Sequence, residues 1–181
     1  LQHVQAFEAH LALLQGSKAT AAAWADQNLD TRPWLPMVFV EIPALTWVRV
    51  RIAQGTQASL AQAAAVLAGV RRFTTETHNT IRLIDVLALE GLLHAASGER
   101  PDALSCLRQA LALAERGGIV RPFIDLGPDM AALLHDVAKQ SIGADYARRL
   151  LAAFPDQGIQ GAAHAALTET QSGSMIEPLT E

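Results

Sequence analysis

The fold is decided by one stretch: Leu83-Ile84-Asp85-Val86-Leu87-Ala88-Leu89-Glu90-Gly91-Leu92-Leu93-His94-Ala95-Ala96-Ser97-Gly98-Glu99-Arg100-Pro101-Asp102-Ala103-Leu104-Ser105-Cys106-Leu107-Arg108-Gln109-Ala110-Leu111-Ala112-Leu113-Ala114. Leu83, Val86, Leu87, Glu90, Leu93 and His94 recur at three- and four-residue steps, the period of one face of an α-helix. Ser97-Gly98 ends that helix, because glycine just past a last turn adopts the left-handed cap conformation without a Cβ penalty. Arg100-Pro101 opens the next helix, where the N–H that proline lacks has no helical partner to lose. Ala103, Leu107, Ala110, Leu111 and Ala114 line that second helix. Their small side chains let two helices approach closely, with Leu107 filling the space between them. The stretch reads as a helical hairpin.

Working outward, two more glycine breaks occur, at Gln15-Gly16 and Gln54-Gly55, each after a helix-period apolar stretch. Gly16, Gly55 and Gly98 lie 39 and 43 residues apart. These intervals predict degenerate helix–turn–helix repeats, somewhat longer than the tetratricopeptide unit of about 34 residues. Ala103-x3-Leu107-x2-Ala110 resembles the second-helix spacing of that unit. The first hairpin is expected at 1–15 and 18–28, and the second at 37–54 and 57–73. Pro43 predicts either a helix start near Ala44 or a kink, since an interior proline removes a hydrogen bond and clashes with the preceding turn. Leu29 to Pro36, with two prolines, reads as a loop. After Gly117-Gly118 the pattern changes to short helices: one ending near Gly127, one from Pro128 to about Lys139, and one over 144–153. Residues 157–175 are small and polar and read as a weak helix or flexible linker. The expected class is all-α, with tetratricopeptide-like hairpins over 1–156 forming a right-handed superhelix. A linker at 157–175 is expected to lead to the start of another domain at 176–181.

Composition bounds the function. Apolar residues make up 50% and charged residues 18% of the 181, too apolar for a disordered chain. Net charge is −4, with pI ≈ 5.8, so the segment lacks the basic excess of a DNA-binding domain. The single cysteine, Cys106, allows no internal disulfide and no cysteine-cluster metal site. That fits a reducing cytoplasm. No apolar run reaches membrane-spanning length, so no membrane association is expected. The chain opens at Leu1 without an initiator methionine, so its true N-terminus is expected to lie further upstream.

Several pieces, in order, resemble the large ATP-binding LuxR-type transcriptional regulators, the MalT-like group. They are Leu45-Thr46-Trp47-Val48-Arg49-Val50-Arg51-Ile52-Ala53-Gln54-Gly55; Ala110-Leu111-Ala112-Leu113-Ala114-Glu115 followed by Gly118, Arg121, Phe123, Asp125, Gly127 and Pro128; Met130-Ala131-Ala132-Leu133-Leu134; and Tyr146-Ala147-Arg148-Arg149-Leu150-Leu151-Ala152-Ala153-Phe154. Glu177-Pro178-Leu179-Thr180-Glu181 resembles the junction before their DNA-binding domain. Leu126 and Pro43 depart from the group's usual residues, and 157–175 matches no part of it. The resemblance implies a helical-repeat sensor between a nucleotide-binding module and a C-terminal helix-turn-helix. This chain has no Gly-rich phosphate loop ending in Lys-Ser/Thr, so it is expected to hold no cofactor itself, with ATP belonging to the parent protein. DNA contact is likewise expected only through the C-terminal domain.

The expected binding face lies on the first helix of each pair, about 44–54, 78–97 and 121–126. Its polar candidates are Arg49, Arg51, Arg82, Asp85, Glu90 and His94. Arginine there can hold a carboxylate or phosphate through two parallel hydrogen bonds. The competing structural reading is that these charges pair with one another between helices. Glu90 and His94 share a face four residues apart, but with Asp85 they fall short of a metal site of known geometry, so no metal is expected. Glu90 and His94 are expected to hydrogen-bond as a pair lining a groove. Trp24, Trp34 and Trp47 read mainly as packing. Trp34, in the proline-flanked loop, is the one candidate for stacking on a ligand. Arg121 and Asp125 are expected to pair around Phe123, and Arg148-Arg149 to form a solvated face. Ser105 and Cys106 have no identifiable base, so no enzyme is expected. The partners expected are a small-molecule inducer or a regulatory protein, with self-association as a further possibility.

Overall fold

The computed structural model describes residues 2–28, 43–140 and 143–154. These residues contain only helices and turns, in three hairpins followed by a short helical cap. The hairpins are α1 (Gln2–Leu14) with α2 (Lys18–Gln27), α3 (Pro43–Gln54) with α4 (Gln57–Glu76), and α5 (Thr80–Ala96) with α6 (Arg100–Glu115). The cap is α7 (Arg121–Ile124), α8 (Gly127–Ala138) and α9 (Ala144–Leu151). Each first helix packs on its own partner and on the preceding pair: α3 on α4, α1 and α2, and α5 on α6, α4 and α3. This is an all-α helical repeat. Trp34, the loop at Leu29 to Pro36, residues 37–42, the linker at 157–175 and the domain start at 176–181 lie outside the described residues.

The hairpin turns follow from their glycines. Gly16, Gly55 and Gly98 have φ of +78°, +67° and +81°, where a side chain would be strained. Each donates its N–H to the carbonyl three residues back, on Leu13, Ile52 and Ala95, at 3.0, 3.0 and 3.1 Å. The turn between hairpins at His78-Asn79 uses a different device. Asn79 caps α5 by accepting from the Arg82 N–H, and its own N–H reaches the Thr74 carbonyl at 2.9 Å. Thr56 and Ser59 form a reciprocal cap at the start of α4, which satisfies two N–H groups that the helix cannot. Pro43 is the first residue of α3, so the chain starts a helix there rather than kinking one. Pro101, Pro122 and Pro128 likewise sit in first turns. α4 runs three residues beyond the expected end, to Glu76. The hydroxyls of Thr74 and Thr75 bond back to Arg71 O, which accommodates both threonines in its last turn.

The core is continuous from Ala12 to Leu150. Its tightest seam is between α5 and α6, where a Cβ on Gly91 would lie 3.3 Å from the Ala103 carbonyl and 3.8 Å from Leu107 Cβ. Phe123 is fully buried in α7, which packs on α5 and α8. Tyr146 donates from its hydroxyl to the Ile119 carbonyl at 2.8 Å and so fixes α9 to the loop after α6. No described helix is long and apolar enough to cross a membrane.

Candidate functional site

The described candidate residues sit on α3 and α5, and each has a polar partner. Arg51 is largely enclosed, with its side chain 11% exposed. Its Nη1 is 2.7 Å from Asp26 Oδ1 and 3.0 Å from Gln54 Oε1, and Nη2 reaches the Ala25 carbonyl at 3.4 Å. The guanidinium lies 4.8 Å from the Trp47 ring centroid, and Trp47 Nε1 donates to the same Ala25 carbonyl at 2.9 Å. One arginine thus ties α2 to α3 through an ion pair, a carbonyl and an aromatic face. Arg49, two residues earlier, places Nη1 3.3 Å from His10 Nδ1 on α1.

On α5, Arg82 and Asp85 pair at 3.0 Å within one turn. Glu90 is buried, with Arg71 Nη1 of α4 at 2.5 Å and Cys106 Sγ of α6 at 3.9 Å. Burial pushes the Glu90 carboxyl up, and the Arg71 charge opposes the shift without cancelling it. Burial and then the Glu90 charge push the Cys106 thiol up as well, so the reactive thiolate is disfavoured. His94 Nδ1 lies 2.6 Å from Glu99 Oε2, across the Ser97-Gly98 turn. Glu90 and His94 therefore share a face, as their spacing requires, but each engages a different partner. The expected Glu90–His94 hydrogen bond is corrected on that point: Arg71 and Glu99 take their places.

Four partners escaped the sequence reading: His10, Asp26, Arg71 and Glu99. Asp26 and Arg71 are 25 and 19 residues from the groups they bind, so no local spacing marks them. Glu99 had a signal, because a glycine turn after His94 brings the residues flanking it together. His94, Glu99 and Asp102 bring one possible ligand atom each to within 4.8 Å of one another. Two of the three are exposed carboxylates at the start of α6, where the unpaired N–H groups of the first turn already favour negative charge without a metal.

A shallow groove open to solvent runs between α2, the end of α3 and the start of α4. Lys18, Arg51, Gln54, Ser59 and Gln62 line it. The groove is lined by cationic and amide groups, and Arg51 within it is already paired with Asp26. Arg121 and Asp125 pair at 3.0 Å beside the buried Phe123. Arg148 and Arg149 are exposed and engage Asp145 and Glu115.

Stacked helical hairpins, glycine turns at corresponding places and a polar face held by inter-helix pairs define a repeat scaffold of the tetratricopeptide type. The chain belongs to the MalT-like TPR region family, whose model matches residues 1–140, from α1 through α8. Comparison with the curated proteins and with the solved structures finds no match.

Proposed function

We propose that this chain is the signal-sensing repeat region of a LuxR-family, MalT-like transcriptional regulator. The observation that carries the reading is the family match over residues 1–140. In this reading, an inducer or regulatory protein binds across α3 and α5 and the groove beside Arg51. Binding shifts the packing between hairpins, and small rotations add along a repeat stack until a flanking DNA-binding domain feels them. Nucleotide and DNA contacts belong to other domains of the parent protein, which works in the cytoplasm. No catalytic step is assigned to the repeats. The test is calorimetric titration of this chain with each compound that activates the intact regulator in a transcription assay. Saturable heat with one activator, weakened by Arg51→Ala, supports the reading. Absence of heat with every activator removes direct small-molecule sensing.

The open form of the groove between α2, α3 and α4 favours a second reading, in which the repeats are a protein-interaction or self-association scaffold with no small ligand. Small ligands usually sit in concave sites that enclose most of their surface. Activation of the intact regulator by a purified protein, lost on changing Lys18 and Gln62 to Glu, would select this reading over the first.

A further inference from the structure

α9 is eight residues long and starts from Gly143, whose φ is +78°, with no side-chain cap. Alone in water a helix needs about 12–15 residues to hold even with good helix formers. Docking is therefore what keeps α9 helical. Tyr146, Ala147 and Leu150 are buried, and the helix packs on α8 and α6. Its longest side chains grip one turn. The Tyr146 hydroxyl donates to the Ile119 carbonyl at 2.8 Å and lies 3.5 Å from that of Ala114. Arg149 Nη2 donates to Glu115 Oε1 at 2.8 Å, with its guanidinium 5.0 Å from the Tyr146 ring centroid. Both thus hold residues 114–119, the end of α6 and the turn that leaves it. On the other side, Arg148 Nη2 reaches the Ala138 carbonyl at the end of α8 at 3.3 Å.

The turn that α9 grips is held by its own main chain. The Ile119 N–H donates to the Ala114 carbonyl at 3.1 Å, and Gly118 takes a φ of +61°. The dock keeps its shape without α9, whereas α9 has no shape without the dock. α5 is the opposite case. It packs on α3, α4, α6, α7 and α8, and residues 84–93 are buried without a break. It cannot leave its place without dismantling the hairpins on both sides.

We propose that α9 is a strap, latched by Tyr146 and Arg149 to residues 114–119, which leaves the folded repeats and returns to them as one cooperative unit. Release costs the strap its helix, so docking and order are a single two-state event. The dock is the end of α6, and α6 shares its hairpin with α5. A movement of α6 against α5 is therefore passed to the chain beyond Leu151 as a docked or a released helix. The strap stands whether or not the repeats sense an inducer.

The test is native-state amide hydrogen exchange of the 181-residue chain at increasing, sub-denaturing urea. The amides of α9 should exchange through one common opening, about tenfold or more faster than residues 84–93 of α5. That opening should depend little on urea, because it exposes little surface. Val50→Ala, on α3 and 1% exposed, separates the two events. It should speed exchange in α5 by about tenfold and leave α9 unchanged. Arg51→Lys is the milder variant and should give the same split at a few-fold. Tyr146→Phe should speed α9 and α5 by the same factor, about tenfold, because the bond is absent from both the released and the unfolded forms. Arg149→Pro breaks α9 at an exposed position and should leave residues 84–93 protected. A Val50→Ala effect of equal size in α9 and α5 overturns the proposal, since α9 then opens only with the whole fold. Protection graded backward from Leu151 means fraying of a helix end and overturns it too. So does unchanged α9 exchange in Tyr146→Phe, or loss of α5 protection in Arg149→Pro.

Discussion

Two glycines in the interiors of long helices offer a paired test of how the repeat is packed. Gly69 of α4 is exposed, and a Cβ built there meets nothing within 4 Å. Gly91 of α5 faces α6, and a Cβ there would stand 3.3 Å from the Ala103 carbonyl oxygen, 3.8 Å from Leu107 Cβ and 3.9 Å from Leu107 N. The substitution Gly→Ala is chemically identical at both. In a helix interior it stabilises by about 1 kcal/mol, because glycine loses more backbone freedom on folding. At Gly69 that gain should appear whole, raising Tm by about 2–4 °C in a domain of this size. At Gly91 the new methyl meets main chain, which cannot swing aside as a side-chain tip can. Ala103, Leu107, Ala110 and Ala114 are all 0% exposed, so α6 has no slack along this seam. Overpacking of such a core costs about 1–3 kcal/mol.

The net effect at Gly91 should therefore run from neutral to a loss of about 2 kcal/mol, leaving the two variants about 1–3 kcal/mol apart. Urea denaturation followed by circular dichroism at 222 nm measures this, with m-values compared to confirm that the same surface unfolds. Gly91→Val should fall further, since it adds two carbons and a β-branch at the same contact. If Gly91→Ala proves as stable as Gly69→Ala, the close crossing of α5 and α6 is not what holds that hairpin, and the packing argument fails. If Gly69→Ala fails to stabilise, the propensity half of the argument is wrong.

Other outcomes follow from single contacts. Tyr146→Phe removes the hydroxyl that donates to Ile119 O and should destabilise the chain by about 1–2 kcal/mol, seen as a lower urea midpoint. Arg51→Lys keeps the charge but loses the planar fork that reaches Asp26, Gln54 and Ala25 O together while lying on Trp47. It should cost about 1 kcal/mol and shift the Trp47 emission, whereas an unchanged spectrum would count against the stacked geometry. The folded pKa of Glu90 is raised above its ordinary 4.5, so its contribution to stability is present below that pH and is lost as pH rises through the folded value. Wild type should accordingly lose stability relative to Glu90→Gln between pH 4.5 and neutrality, and a constant difference across melts in that range would refute the burial account. Asp136 behaves oppositely. The Arg100 hydrogen bond lowers its pKa, so its contribution is present above 3.8 and is lost as pH falls through the folded value. Asp136→Asn should therefore flatten the acid limb of the pH–stability curve.

The hairpins could be read from the sequence because their determinants are local. A glycine that needs positive φ, a proline in a first turn and a helix-period run of Ala and Leu each constrain only their neighbours, and three copies at similar intervals reinforce one another. That is why Gly16, Gly55 and Gly98 marked the turns to the residue. The polar pairing was harder to read. Arg51 with Asp26, and Glu90 with Arg71, join residues 25 and 19 apart, and only the angle at which helices cross decides which carboxylate an arginine reaches. His94 with Glu99 lay within reach of local reasoning, since one glycine turn separates them. α1 shows a different limit. Its sequence carries two apolar periodicities, alanines on one side and Val4, Phe7, Leu11 and Leu14 on the other. Periodicity alone gives no reason to prefer either as the core face. Burial separates them: the alanines allow the close approach of α2 and α3, and the larger side chains are left outward. Which stripe turns inward is therefore a property of how the helices cross, and no periodicity within α1 decides it.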